Sequence, residues 1–133
     1  CLLLCNEYIP HNMEHAMSGF HSDLAHGAGL IMISPAYYSF FIEKGIGEDR
    51  FIKMAKAMGV ENPKSGKDFL NALDELIEKV GCKDLKMSDA GITTDELKKY
   101  PLKPHEVYGG DITADLIHLT DKDYLEIFEN AYC

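Results

Sequence analysis

The sequence predicts an all-α protein, a helical bundle of five to seven helices in one domain that spans residues 1–133. Two observations support this prediction. Apolar residues recur at helical spacing in several segments, and no segment sustains the apolar and polar alternation of a half-exposed strand. Because 133 residues can bury a sizeable hydrophobic core, we expect the helices to share one.

The first two predicted helices lie on either side of a glycine-containing stretch. Helix-forming residues predict a helix over residues 11–20, and "SDLAHGAG" at 22–29 is typical of a turn. The apolar run at 30–44 is too long and too evenly apolar for a half-exposed strand. It predicts a buried helix that is bent or restarted at Ser34-Pro35, since proline disrupts the interior of a helix.

The remaining helices are predicted from apolar spacing and from their ends. Helical spacing recurs over residues 48–59, where Gly59 can cap the end of the helix. It is clearest from Ser65 to Gly81, where the serine can cap the start and the glycine can stop the helix. The sequences TTDE at 93–96 and TDKD at 120–123 are typical of capped helix starts. Each should open another helix.

Charge and composition exclude several classes of partner. The chain has 22 acidic and 13 basic residues, a net charge of −9, and no basic cluster interleaved with aromatic residues. Binding to nucleic acid or to an anionic membrane is therefore not expected. The apolar start "CLLLC" is too short for a signal peptide or a membrane span, so we expect a soluble, cytoplasmic protein.

The four cysteines do not form a recognisable framework. They are Cys1, Cys5, Cys82 and Cys133. This spacing contains no CxxC pair and is too sparse for a dense set of disulfides, which favours buried or incidental thiols. The chain also begins with a cysteine and reaches its first histidine within eleven residues, which suggests a piece of a longer protein.

The histidine segment, "HNMEHAMSGFHSDLAHGAGL" from His11 to Leu30, contains four of the six histidines in the chain. His11 and His15 are four residues apart, so on a helix they share a face with Cβ atoms about 5–6 Å apart. Two imidazoles in this arrangement can bind one ion, with metal–nitrogen bonds of about 2.0–2.1 Å for zinc. The glycines after His26 allow close approach of backbone and ligand. A metal site is the favoured interpretation.

The sequence supplies no carboxylate ligand at a convincing spacing. Asp23 and Glu14 are near, but Glu14 is expected to face away from an ion that His11 and His15 face. A downstream pair, Asp115 and His118, is more typical of a coincidence on a helix surface. Two histidines alone would make a weak site.

Two other functions remain open from the residues. "HNMEH" satisfies the H-x-x-E-H motif of a zinc peptidase, in which His11 and His15 would bind zinc and Glu14 would activate water. That function needs an acidic ligand downstream, for which Glu96 is a nominal candidate. The chain could also be a helical interaction module that has lost catalysis and serves in oligomer contacts.

The histidine segment and the following "IMISPAYY" resemble the metal-binding segment of the iron-containing (group III) alcohol dehydrogenases. The resemblance continues through "FIKMAKAMGV", "FLNALDELIEKVGCKDLKMSDAGIT" and "LTDKDYLEIFENAY", so it covers the chain from about His11 to Tyr132. Members of that family have an N-terminal nucleotide-binding domain and a C-terminal helical domain, with the metal in the cleft between them. The resemblance implies that this chain is the C-terminal metal-binding portion.

The resemblance also implies roles for five residues. His11 and His26 would bind a divalent metal, Fe²⁺ in preference to Zn²⁺, and His15 would be catalytic beside it. Phe20 and His21 would border the nicotinamide of NAD or NADP and the substrate, a small alcohol or aldehyde. The interval from His15 to His26 is one residue longer than the usual pattern.

Several family features have no counterpart in the 133 residues. Two further ligands, an aspartate and a histidine, and the glycine-rich loop that holds the cofactor pyrophosphate would lie upstream of Cys1. The nucleotide-binding domain is therefore an expected partner, and a homo-oligomer is compatible with the resemblance. We expect the chain alone to be inactive as a dehydrogenase.

Overall fold

The computed structural model describes residues 9–100 and 117–133. Within these ranges the chain forms six α-helices and no strand, which confirms the predicted all-α class and the predicted number of helices. The helices are α1 (Ile9–Phe20), α2 (His26–Glu43), α3 (Glu48–Ala57), α4 (Gly66–Lys79), α5 (Thr94–Leu97) and α6 (Asp121–Ala131).

The start of α2 differs from the sequence-based prediction. The turn after α1 is shorter than expected, and α2 begins at His26, four residues before Leu30. The backbone N–H groups of Ala28 and Gly29 already donate to the Ala25 carbonyl, at 2.9 and 3.1 Å. Glycines at 27 and 29 are typical of a turn, but helix propensity is a weak preference that tertiary packing overrides.

Pro35 neither ends nor restarts α2, which runs unbroken from His26 to Glu43. Proline has no N–H group, so it removes one backbone hydrogen bond from the helix. Immediately before Pro35, the Ser34 hydroxyl donates to the carbonyl of Leu30, one turn back along the helix, at 2.6 Å. Since most of the apolar run is buried or half-buried, packing on both sides supports the helix across this gap.

The predicted caps at the other helices are confirmed. In α4, α5 and α6, an acidic side chain in the first turn accepts a hydrogen bond from the backbone N–H of the capping residue. These bonds join Asp68 to Ser65 at 2.9 Å, Glu96 to Thr93 at 2.8 Å, and Asp123 to Thr120 at 2.9 Å. Glycines with positive φ follow α3 and α4, at Gly59 (97°) and Gly81 (73°), as their sequence positions predicted.

The core is organised around α2, which contacts α1, α4 and α6, while α3 pairs with α4 and α5 with α6. An aromatic cluster joins the middle of α2 to the α3–α4 hairpin (48–79). Tyr38, Phe51 and Phe69 have ring centroids 5.1–6.0 Å apart. Aromatic pairs at such separations add stability beyond the apolar area that they bury.

At the other end of α2, helix α1 packs through Met13 and Met17, both fully buried. This orientation sets the direction of the histidines that share α1. The thiols of Cys82 and Cys133 are free, whereas Cys1 and Cys5 lie outside the described residues. In the ranges that the structure describes, no helix has both the length and the apolar character to cross a membrane.

Candidate metal centre

Three of the predicted site residues meet at the junction of α1 and α2. His11 and His15 lie one turn apart on α1, and His26 is the first residue of α2. The ring centroid of His26 lies 5.2 Å from that of His11 and 5.4 Å from that of His15, and the two α1 rings are 6.4 Å apart. We refer to His11, His15 and His26 as the histidine cluster.

Glu14 belongs to this junction, so the expectation that it faces away was wrong. Its side chain is fully buried, and its carboxylate is hydrogen-bonded to Nδ1 of His26 and to the Ser18 hydroxyl. Oxygen or nitrogen atoms of Glu14, His15 and His26 all lie within 4.8 Å of one another. Because residues three apart on a helix are neighbours, the spacing from His11 to Glu14 was the signal that could have placed it.

Gly29 makes the room that the Glu14 side chain occupies. A Cβ atom on Gly29 would lie 2.7 Å from Cγ of Glu14 and 3.1 Å from Oε1. The Leu24 side chain is a further 3.3 Å neighbour of that position. The close packing of α1 on the first turns of α2 therefore depends on glycine at this position.

Phe20 and His21 lie apart from the histidine cluster. They line a cavity of about 600 Å³ that residues 84–86, 89 and 90 also line. The ring of Phe20 is 5.5 Å from that of Tyr100, and Nε2 of His21 is 3.3 Å from Oε2 of Glu96. No member of the histidine cluster lines this cavity, although Ala25, next to His26, does.

The charges around this cavity follow from burial and hydrogen bonding. The backbone N–H of Thr93 donates to Glu96 and lowers the pKa of that carboxyl, with a smaller contribution from His21. Burial raises the pKa of Tyr100 to about 12, and the charge of Glu96 acts in the same direction. The Tyr100 hydroxyl has no hydrogen-bond partner within the described residues. Tyr100 is therefore a neutral phenol at physiological pH.

The contacts of Glu96 and Glu14 argue against the peptidase interpretation. Glu96 is bonded to His21 and Thr93 and does not join the histidine cluster, so it is not the acidic ligand that H-x-x-E-H requires. Glu14 is fully buried and engaged by His26, which leaves it poorly placed to activate water. Of the downstream pair of possible metal ligands, Asp115 lies outside the described residues and His118 is exposed.

At this junction the ligand atoms of Glu14, His15 and His26 lie close enough together for one divalent transition metal, and the ring centroid of His11 is 5.2 Å from that of His26. Imidazole nitrogens suit both iron and zinc, and carboxylates near such ligands are common as ligands or as hydrogen-bond partners. The exposed fraction of the His26 side chain is 48%, so an ion could reach it from solvent, whereas Glu14 is closed off. The junction therefore combines solvent-accessible imidazole nitrogens, which can bind a metal, with the buried carboxylate of Glu14, which accepts hydrogen bonds.

Sequence comparison identifies the class of protein to which this site belongs. The C-terminal model of the Fe-containing alcohol dehydrogenase family matches residues 5–132. The chain therefore belongs to the Fe-containing alcohol dehydrogenase family and corresponds to its C-terminal part. None of the curated proteins is similar enough to count as a relative.

Solved structures of alcohol-oxidising enzymes share the fold. An archaeal halo-thermophilic alcohol dehydrogenase from a Red Sea brine pool has a TM-score of 0.80 and 22% identity, a 1,3-propanediol oxidoreductase 0.78 and 16%, and an NADH-dependent butanol dehydrogenase from Thermotoga maritima 0.75 and 24%. Each similarity covers 92% of this chain. The chain spans about a third of those enzymes' length, 32% in each case.

Proposed function

We propose that the chain is the metal-binding C-terminal part of an NAD(P)-dependent alcohol dehydrogenase, which interconverts a small alcohol and its aldehyde by hydride transfer. The observation that carries the proposal is the histidine cluster, formed within a chain of the Fe-containing alcohol dehydrogenase family. His11 and His26 would bind the metal, Fe²⁺ in preference to Zn²⁺. A preceding nucleotide-binding domain would supply NAD or NADP and the remaining ligands.

The chemistry of the reaction explains why imidazole ligands are needed. Hydride leaves an alcohol carbon readily only as the oxygen loses its proton, and a bound divalent ion supplies the positive charge that favours this loss. Neutral imidazoles hold such an ion without cancelling its charge. His15 lies beside both proposed ligands, where its ring can orient the hydroxyl of the substrate or accept its proton.

The cavity beside the histidine cluster has a separate role in the proposal. Phe20 is partly exposed on its wall, and its flat apolar ring suits contact with a nicotinamide or with the carbon chain of a substrate. His21 is held by Glu96 on the same wall. We assign Phe20 and His21 to the border of the cofactor and substrate rather than to the metal.

A metal titration tests the ligand assignment. Removal of both imidazoles in His11→Ala/His26→Ala should reduce the affinity of the full chain for Zn²⁺ or Co²⁺ by more than about 100-fold, since the two would be its metal ligands. The control is His118→Ala, which deletes an exposed histidine outside the cluster and should leave the affinity unchanged. Tight, stoichiometric binding that survives the double substitution would contradict the assignment.

An activity assay tests the division of labour between this chain and the rest of the enzyme. The 133 residues contain no glycine-rich GxGxxG loop for the cofactor pyrophosphate. The purified chain with a short alcohol and NAD or NADP should therefore form no reduced cofactor. Formation at a measurable rate would show that the chain holds a nucleotide site of its own.

A further inference from the structure

Glu14 is a buried residue that has no role in the proposed function. Its side chain is fully buried, on a helix whose other buried residues are mostly apolar. Oε2 is bonded to Nδ1 of His26, and Oε1 accepts from the Ser18 hydroxyl. An isolated buried carboxylate is strongly unfavourable, so its persistence depends on these two partners.

The surrounding residues hold this carboxylate in one place. Gly29 leaves no space beyond that needed by Cγ and Oε1 of Glu14, and Leu24 closes the same side. Ser18 lies one turn further along α1 and fixes the second oxygen. The carboxylate is therefore held before any metal binds, as a supporting group must be if it is to orient a ligand.

The hydrogen bond from His26 determines which of its nitrogens is available to a metal. The Glu14 carboxylate lies against Nδ1 of His26, and a carboxylate oxygen accepts a hydrogen bond from a ring N–H, so this contact favours the tautomer with the hydrogen on Nδ1. Nε2 of a neutral ring then carries the free lone pair. Histidines that bind metals commonly donate their other N–H to a carboxylate, which fixes the tautomer and makes the ring a stronger ligand.

We infer that Glu14 is a positioning residue, which holds His26 in the Nδ1–H tautomer so that its Nε2 binds the metal. The inference deepens the proposed function and rests on its assignment of His26 as a ligand. Direct coordination by Glu14 is the competing role. Both of its oxygens already have partners, and the side chain has no exposed surface, whereas the side chain of His26 is 48% exposed.

Nuclear magnetic resonance of the imidazole nitrogens tests the tautomer without any metal. In the full chain, at a pH at which the His26 ring is neutral, two-bond ¹H–¹⁵N correlations should show Nδ1 protonated and Nε2 unprotonated. Glu14→Ala should shift the population of His26 toward the Nε2–H tautomer. Glu14→Gln keeps an acceptor oxygen and should keep the Nδ1–H tautomer. An unchanged His26 tautomer in Glu14→Ala would overturn the inference.

Two pairs of variants separate this effect from general damage to the fold. Gly29→Ala should push the carboxylate aside and change the His26 tautomer as Glu14→Ala does, whereas Gly27→Ala, whose Cβ meets nothing within 4 Å, should not. Glu43→Ala removes an exposed carboxylate that accepts from Ser39 at 2.9 Å. Glu43→Ala removes one carboxylate, as Glu14→Ala does, and should leave the tautomer of His26 unchanged.

Titration with Zn²⁺ and Co²⁺ tests the consequence for the metal. Glu14→Ala should weaken binding by about 10–100-fold, the usual effect of losing such a hydrogen-bond partner. The number of bound ions and the absorption bands of the Co²⁺ form should be retained, because no ligand is lost. Co²⁺ bands that report one ligand fewer in both Glu14→Ala and Glu14→Gln would show that Glu14 coordinates the metal, and would overturn its positioning role.

The two measurements distinguish failure of this inference from failure of the proposed function. If the wild-type chain binds no metal through His11 and His26, the ligand assignment is wrong whatever the tautomer of His26. If binding depends on both histidines but Glu14→Ala leaves the tautomer and the affinity unchanged, the metal site stands and the role of Glu14 is refuted.

Discussion

In the α3–α4 hairpin, helix α4 has conventional partners at both ends, whereas at the junction of α1 and α2 polar groups are buried and the start of α2 lacks a side-chain cap. Helix α4 follows Ser65, whose N–H donates to Asp68, and Gly81 terminates its last turn in the left-handed conformation. Helix α2 follows Ala25, which contributes no side-chain hydrogen bond. Glu14 is buried there beside imidazoles.

The difference indicates that the two regions serve different purposes. In the hairpin, local preferences agree with the tertiary packing, as in a segment that provides stability. At the α1–α2 junction they conflict, since a fully buried carboxylate opposes folding. Proteins tolerate such conflicts mainly where function requires them. The junction is therefore the part of the described structure where we expect chemistry.

A substitution in the aromatic cluster should destabilise the α3–α4 hairpin most strongly and leave the α1–α2 junction intact. Phe69 is 3% exposed and packs against Phe51 and Tyr38. Phe69→Ala should lower the free energy of unfolding by about 3–5 kcal/mol, because it removes a buried ring and leaves a cavity. Urea denaturation measures this loss. In the folded fraction the tautomer of His26 should be unchanged, and a loss below 1 kcal/mol would mean that the aromatic cluster contributes little.

Alanine substitutions at two glycines of α2 should have smaller effects on stability, and they differ in whether the new Cβ meets Glu14. Alanine at either position gains about 0.5–1 kcal/mol from helix propensity. Gly29→Ala also forces Cβ against Glu14, and such overpacking costs about 1–3 kcal/mol. Gly27→Ala meets nothing and should stabilise the chain.

The difference between these two variants isolates the fit around Glu14, because the gain in helix propensity is common to both. Thermal or urea unfolding of the pair should show Gly29→Ala less stable than Gly27→Ala by about 1–3 kcal/mol. Equal stability would mean that the carboxylate of Glu14 moves freely, and that the junction is looser than its geometry indicates.

The smallest expected effect concerns acid sensitivity at the capped ends. Backbone N–H groups of Lys64 and Ser65 donate to Asp68 and lower the pKa of its carboxyl. A carboxyl that binds its proton more weakly in the folded state stabilises the fold above its unfolded pKa. That contribution is lost as the pH falls through the lower, folded value. Stability should therefore decrease below about pH 4.

The variant Asp68→Asn removes this titration while keeping an acceptor oxygen. It should be less stable than the wild type at pH 7 and should show a shallower loss of stability between about pH 4 and pH 2. Urea denaturation across this range measures both. Asp123→Asn should behave similarly. Burial raises the pKa of Asp123, but the hydroxyl and N–H of Thr120, together with the charges of Lys44 and Lys122, bring it below its usual value. Curves parallel to the wild type would assign the acid sensitivity to other groups.

Sequence patterns located the features that depend on neighbours in the chain. The caps at Ser65, Thr93 and Thr120 and the stops at Gly59 and Gly81 were predicted and found, since hydrogen bonds between residues three to five apart create them. The beginning of α2 was misplaced. Glycine at position 29 is typical of a turn. Only the contact with Glu14 on α1 explains why a glycine lies within helix α2.

Only the part of the site that depends on local spacing was predicted from the sequence. The i, i+4 spacing placed His11 and His15 on one face of a helix, and the glycine after His26 drew attention to the third histidine. The i, i+3 spacing could have placed Glu14 beside His11, but its contact with His26, twelve residues away, depends on the packing of α1 on α2. Likewise, the separation of His21 from the cluster depends on Glu96, seventy-five residues further along the chain.

The sequence alone therefore determined the helical class, the ends of most of the described helices, the resemblance to iron-containing alcohol dehydrogenases, and the histidines worth testing. Periodicity and capping are local and can be recognised in consecutive residues. The tertiary structure decided that His11, His15 and His26 meet and that Glu14 contacts His26. It also decided that His21 lines a cavity to which the histidine cluster does not contribute. These arrangements follow from the packing of α1 on α2, which brings together side chains that the sequence leaves apart.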